Sequence, residues 1–68
     1  MSQNADILAH LRHGWNLTPM EALRRYQTFR LAARIGELRQ MGHDIDTHKL
    51  KLPNGKRVAI YSLIKEST

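Results

Sequence analysis

The 68 residues include no cysteine, which excludes a disulfide framework, thiolate zinc ligation and thiol catalysis together. No apolar run approaches the ~18 residues that a membrane span needs. The N-terminal MSQNAD is polar and unlike a signal peptide, so a cytoplasmic location, bacterial or phage-infected, is the expectation. Nothing in the chain pairs a nucleophile with a base and an orienting third group, forms a glycine-rich phosphate loop, or brings carboxylates together in a pocket. The reading is therefore of a protein that is not an enzyme, with no cofactor and no small-molecule substrate. Four histidines are present, with His10 and His13 at helical spacing and His43 and His48 in or near a later hairpin. Zinc sites normally add Cys or carboxylate ligands at tight spacing. Asp44 and Asp46 are the only acids near His43 and His48, and no metal is expected.

What remains fits one small domain over residues 1–68, with 41% hydrophobic residues. A chain this short buries roughly 60% of its unfolded surface, and its core stabilises it by only ~3–5 kcal/mol. Charge is more informative. Eleven Lys and Arg against six acids give +5, with a pI near 10.3. Between Arg24 and Arg39 stand five arginines (Arg24, Arg25, Arg30, Arg34, Arg39) with Glu37 as the only acid. Lys49, Lys51, Lys56 and Arg57 form a second cluster with no acid among them. Two separated basic clusters suit a polyanion gripped at two places.

Apolar spacing at Ile7, Leu8 and Leu11 predicts a first helix over about 4–13, with Asn4 as its cap and Gly14 as its stop. Trp15-Asn16-Leu17 reads as an extended link or a tiny strand. Thr18-Pro19-Met20-Glu21 is a helix start: Thr18 caps, Pro19 suits the first position, and Glu21 reaches back to the Thr18 amide. This second helix spans about 19–25 and buries Ala22 and Leu23. Thr28 is expected to cap a third helix over about 28–41, stopped by Gly42 in a left-handed conformation. Its inner stripe is Leu31, Ile35, Leu38 and Met41; the first three fall within ~60° of one another on a helical wheel. Ala32, Ala33 and Gly36 leave the helix smooth enough for a backbone or a DNA edge to approach.

After Gly42 the period changes to that of strands, with a hairpin over about 44–64. Asn54-Gly55 is the signal for its turn, here expected as type I′ with positive φ at both central residues. Ala59, Tyr61 and Leu63 are placed toward the helices. A change of parity between Ile45 and Leu50-Lys51-Leu52 suggests a bulge in the first strand. Trp15, Phe29 and Tyr61 read as core staples, Arg39 as a surface ion-pair partner, and residues 65–68 as a fraying end.

Three helices followed by a two-stranded β-hairpin wing give an α+β chain in the order of a winged helix-turn-helix. The chain also resembles the small winged helix-turn-helix domain proteins common in phage and prophage genomes. The resemblance rests on Leu17-Thr18-Pro19 with Ala22-Leu23, on Phe29 to Ile35, Leu38-Arg39, Gly42-His43 and Ile45, and on Asn54-Gly55-Lys56-Arg57 with Tyr61-Ser62-Leu63. It covers roughly Ile7 to Leu63, and its specific part is Phe29 to Arg39. The connection Arg25 to Thr28 carries no glycine, where relatives often have one. The resemblance implies a winged helix fold and DNA binding, without fixing the biological process.

On that reading the third helix enters the major groove of double-stranded DNA. Gln27, Thr28, Arg30, Ala33 and Arg34 are the candidates to reach base edges, with Glu37 in reach of cytosine. Arg pairs bidentately with guanine and Gln with adenine, at ~1–3 kcal/mol of discrimination each. Asn54, Lys56 and Arg57 at the hairpin tip lie over the minor groove or phosphates, and Thr18, Lys49 and Lys51 touch backbone. A single domain supplies only a few kcal/mol of discrimination, whereas a specific regulator needs ~4–10 kcal/mol. A homodimer or a larger DNA-bound assembly is therefore expected, in transcription regulation, excision or replication. The alternative is a winged-helix interaction module that binds a host or phage protein through the same basic surface.

Overall fold

The computed structural model describes residues 3–65. In chain order its elements are α1 (Gln3–Arg12), α2 (Pro19–Tyr26), α3 (Leu31–Gln40), β1 (Asp44–Lys51) and β2 (Arg57–Lys65). Three helices followed by an antiparallel hairpin is the expected order. Residues 66–68, part of the end expected to fray, lie outside the described residues, and Lys65 closes β2.

Helix α1 buries Ile7, Leu8 and Leu11, the stripe legible in its spacing. Its start differs from expectation, because Asn4 lies inside the helix and does not cap it. The Asn4 side chain instead donates through Nδ2 to Glu37 Oε1 at 2.9 Å, tying α1 to α3. The chain leaves α1 through Gly14, whose φ of 82° suits a residue without Cβ.

Leu17 is fully buried and forms a two-way bridge with Tyr61, each amide donating to the other's carbonyl at 2.9 Å. The link is extended and carries this single bridge residue, not a strand, and the bridge ties the start of α2 to the hairpin. Thr18 Oγ1 then accepts the Glu21 amide at 3.2 Å, with Pro19 in the first helical position. Half of the expected capping box is missing, because the Glu21 carboxylate pairs with Arg25 Nε at 3.0 Å.

Leu31, Ile35 and Leu38 of α3 pack into the centre of the molecule with the α1 stripe, Leu17, Ala22, Ile45 and Tyr61. Truncating one such Leu or Ile to Ala costs about 2–5 kcal/mol, comparable to the whole margin expected of so small a core. The helix ends as expected: Gly42 takes φ 101°, its amide donates to Arg39 O, and the His43 amide donates to Leu38 O. That stop removes Met41 from the inner stripe. Met41 is the C-cap, past the last full turn, and is 59% exposed.

In the hairpin, pairing runs unbroken from Ile45↔Leu63 to Lys51↔Arg57. The irregularity lies between Asp44 and Ile45, where Asp44 pairs Lys65 and Ile64 has no partner, and not in the middle of β1. The change in apolar parity has another cause. Leu50 pairs Val58, out of phase with Ala59, Tyr61 and Leu63, and is 48% exposed beside the start of α2. Ala59, Tyr61 and Leu63 face the core as expected. The tip also departs from expectation. The Gly55 amide donates to Leu52 O and the Leu52 amide to Lys56 O, so three residues, Pro53-Asn54-Gly55, make the connection. Among the described residues Asn54 has no positive φ while Gly55 has φ 87°. Pro53 sets the φ of a type I turn, and only the glycine must be left-handed.

A polar knot fills the space between α1 and α2. The buried His10 ring lies 2.8 Å from the Tyr26 hydroxyl through Nδ1 and 2.9 Å from Asn16 O through Nε2. A carbonyl only accepts, so in the neutral ring Nε2 carries the proton and Nδ1 accepts from Tyr26. Burial pushes the Tyr26 phenol above its ordinary pKa. Trp15, expected as a core staple, is 53% exposed and lies across this knot, edge-on to His10 and stacked on His13 at 4.5 Å. Among the described residues no cluster of His, Asp and Glu converges as a metal site.

Candidate nucleic-acid interface

The α2–α3 connection solves a geometric problem without glycine. Gln27 caps α2 in the left-handed region at φ 54° and is the only non-glycine residue with positive φ among the described residues. An L residue there costs about 1–2 kcal/mol. The Gln27 amide donates to Leu23 O at 3.0 Å and its side-chain Nε2 to Arg24 O at 3.2 Å, so the strained residue helps to close α2.

The turn then inverts two sequence expectations. Thr28 is 4% exposed, and its Oγ1 accepts the Arg30 amide at 3.1 Å. It therefore does not cap a helix beginning at 28, and its hydroxyl, expected at a base edge, is buried and engaged inside the turn. Helix α3 begins at Leu31, with Arg30 as an N-cap that makes no side-chain capping bond. Phe29, expected in the core, is 87% exposed. Gln27, Phe29, Arg30 and Arg34 surround one shallow hollow, with Gln3 of α1 at its edge.

The arginines of this region divide by what holds them. Arg30 is exposed, and no acid pairs with it among the described residues. Arg34 is half-buried on the α1 side, with Nη2 3.5 Å from Glu37 Oε2. Since Asn4 holds the other Glu37 oxygen, both Arg34 and Glu37 belong in part to the α1–α3 contact. Arg39, expected in a surface ion pair, is instead a structural clamp. Its Nε and Nη2 donate to Ile45 O at 3.1 and 2.7 Å, and Nη2 donates to Thr47 Oγ1 at 2.7 Å. It joins α3 to β1 and covers part of the strand edge that would otherwise stay open. Ala33 and Gly36 lie on the outward side of α3, and a Cβ built on Gly36 meets nothing within 4 Å.

On the wing, Lys49, Lys51, Asn54, Lys56 and Arg57 are all exposed. Asn54 Oδ1 accepts the Lys56 amide at 3.0 Å and stiffens the tip. Lys51 lies directly opposite Arg57 in the last pair of the ladder. Tyr61 turns both backbone groups toward Leu17. By alternation, the Lys51–Arg57 pair is therefore one of the non-hydrogen-bonded positions, where side chains come closest. Like charges opposite each other destabilise a sheet, and no acid offsets this pair among the described residues. Thr18 lies beside Arg57 where the start of α2 meets the wing, and Thr18 also borders the hollow that holds Arg24 and Arg25.

The sequence reading thus brought Gln27, Arg30 and Arg34 to one place and the wing cations to another. It missed the outward position of Phe29, because a phenylalanine in a short domain is expected inside. The profile of a family described as a winged helix-turn-helix domain matches residues 2–66 of the chain. No curated protein and no solved structure matches it.

Proposed function

The chain belongs to the winged helix-turn-helix domain family, a fold whose general use is binding DNA and which is typically non-catalytic, and from that premise we propose that it is a small DNA-binding regulator of phage or prophage origin. Helix α3 lies in the major groove with Arg30 and Gln27 at base edges, Ala33 against the groove wall and Arg34 on the flank. Lys56, Arg57 and Asn54 at the wing tip, with Lys49 and Lys51 behind them, take phosphates or the adjacent minor groove, and Thr18 takes backbone. Two or three base contacts fall short of the ~4–10 kcal/mol that separates specific from non-specific binding, so it acts as a homodimer or within a larger DNA-bound assembly.

The single observation that carries this reading is the Lys51–Arg57 pair. Two cations directly opposite each other, with no acid to offset them, form a small defect in the fold and an asset against a polyanion. The test is selection of bound duplexes from a random library with the purified protein and with Arg30→Ala. Retention of duplex by the first and its loss by the second, with both folded, supports the proposal. No retention of any duplex at ~50 mM salt, where phosphate contacts are strongest, contradicts it.

A second reading has an observation of its own. Pro19, Met20, Leu50, Leu52 and Val58 line an apolar hollow between the start of α2 and the wing, a feature that suits a protein partner better than phosphate. Binding to such a partner would persist at salt concentrations that release DNA.

A further inference from the structure

Phe29 is the most exposed of the large apolar side chains among the described residues, at 87%. Nothing in the core uses it, and its outward position is built in. Gln27 takes the left-handed conformation, Thr28 turns inward to hold the Arg30 amide, and Phe29 is left pointing away from the body. It stands immediately before Arg30, the N-cap of α3, at the end of a recognition helix that meets base edges. It borders one shallow hollow with Gln27, Arg30 and Arg34, so an apolar ring stands beside two cations and an amide.

The major groove offers one apolar feature at base edges, the 5-methyl group of thymine. We infer that Phe29 is a specificity-determining residue that packs against a thymine methyl, beside the base edges that Arg30 and Gln27 reach and with Arg34 on the flank. The inference rests on the DNA-binding reading above and adds to it a base identity at one position. The two cations select an anionic duplex over an apolar protein surface, and the ring selects thymine over the other bases. Burying one methyl is worth about 0.8 kcal/mol, which at ~1.4 kcal/mol per tenfold is roughly a fourfold change in affinity.

The test starts from the duplex selected by the wild-type protein. Each thymine in it is replaced in turn by deoxyuridine, which keeps every hydrogen-bonding group and removes only the methyl. Affinities are then measured for wild type, Phe29→Ala and Phe29→Leu, with circular dichroism and Tm confirming that the exposed site leaves the fold intact. The expected result is one thymine whose replacement weakens wild type about fourfold and leaves Phe29→Ala unchanged, with Phe29→Leu between them. Equal losses in wild type and Phe29→Ala, or no loss at any thymine, would overturn the inference while DNA binding stands. Binding without a selected sequence also overturns it alone. Failure to bind any duplex removes the DNA reading and this inference with it.

Discussion

Lys51 and Arg57 face each other across the wing, in the last pair before the Pro53-Asn54-Gly55 turn. A cross-strand pair of like charge is locally unfavourable, and reversing one sign turns it into an attractive pair. Lys51→Glu is therefore expected to raise stability by about 0.2–1 kcal/mol and to weaken DNA binding. Urea denaturation and fluorescence titration of a labelled duplex measure the two effects. A variant that loses stability, or that binds as well as wild type, speaks against the role given to the pair.

The arginines of α3 should separate in the same two assays. Arg39 donates three hydrogen bonds to Ile45 O and Thr47 Oγ1. Arg39→Ala is expected to cost roughly 1–2 kcal/mol, less than a buried charged bond because the side chain meets solvent. Arg30→Ala removes no internal contact and should stay within about 0.5 kcal/mol of wild-type stability, while losing most of its DNA affinity. If Arg39→Ala retains full stability, the clamp is not holding β1 to α3.

Gly36 stands in the middle of α3, with open space where a Cβ would be. Glycine inside a helix costs about 0.8–1 kcal/mol relative to alanine, and no neighbour in the fold repays that cost. Gly36→Ala should accordingly raise Tm. It should also weaken duplex binding, because an added methyl stands between the smooth face of α3 and the groove. A stabilised variant with unchanged affinity would mean that α3 meets its ligand by another face.

Tyr26 makes stability depend on alkaline pH. Burial raises its phenol above the ordinary value of about 10, so the folded protein holds this proton more tightly than the unfolded chain. The contribution is fully present below about pH 10 and is lost as pH rises through the folded value. Denaturant midpoints from pH 8 to 11 should fall more steeply for wild type than for Tyr26→Phe, which cannot ionise there. Parallel curves would show that Tyr26 is not the group responsible.

Much of the architecture is legible in the sequence because its signals are local. Thr18-Pro19 starts α2, Gly42 stops α3, and Leu31, Ile35 and Leu38 mark its inner face through spacing alone. The site is less legible because it depends on where a strained turn aims its side chains. Thr28 and Phe29 exchange their expected positions once Gln27 adopts positive φ, and no composition rule assigns that conformation to glutamine. The role of Arg39 is hidden in the sequence for a related reason: its partners lie on β1, beyond the Gly42 turn, and come within reach only when the hairpin folds back. At the tip, Asn-Gly points to one turn type while Pro53, whose ring sets a type I turn, leaves only Gly55 left-handed.

The central claim, a two-point grip on the DNA backbone by α3 and the wing, is tested most directly by the salt dependence of duplex affinity. It is measured for wild type and Lys51→Glu between ~50 and ~200 mM salt, where each phosphate contact contributes a log–log slope of about −0.9. The account predicts a steep wild-type line and a line shallower by at least about one contact, roughly 0.9, for the variant. A flat wild-type line, or two lines of equal slope, would contradict it.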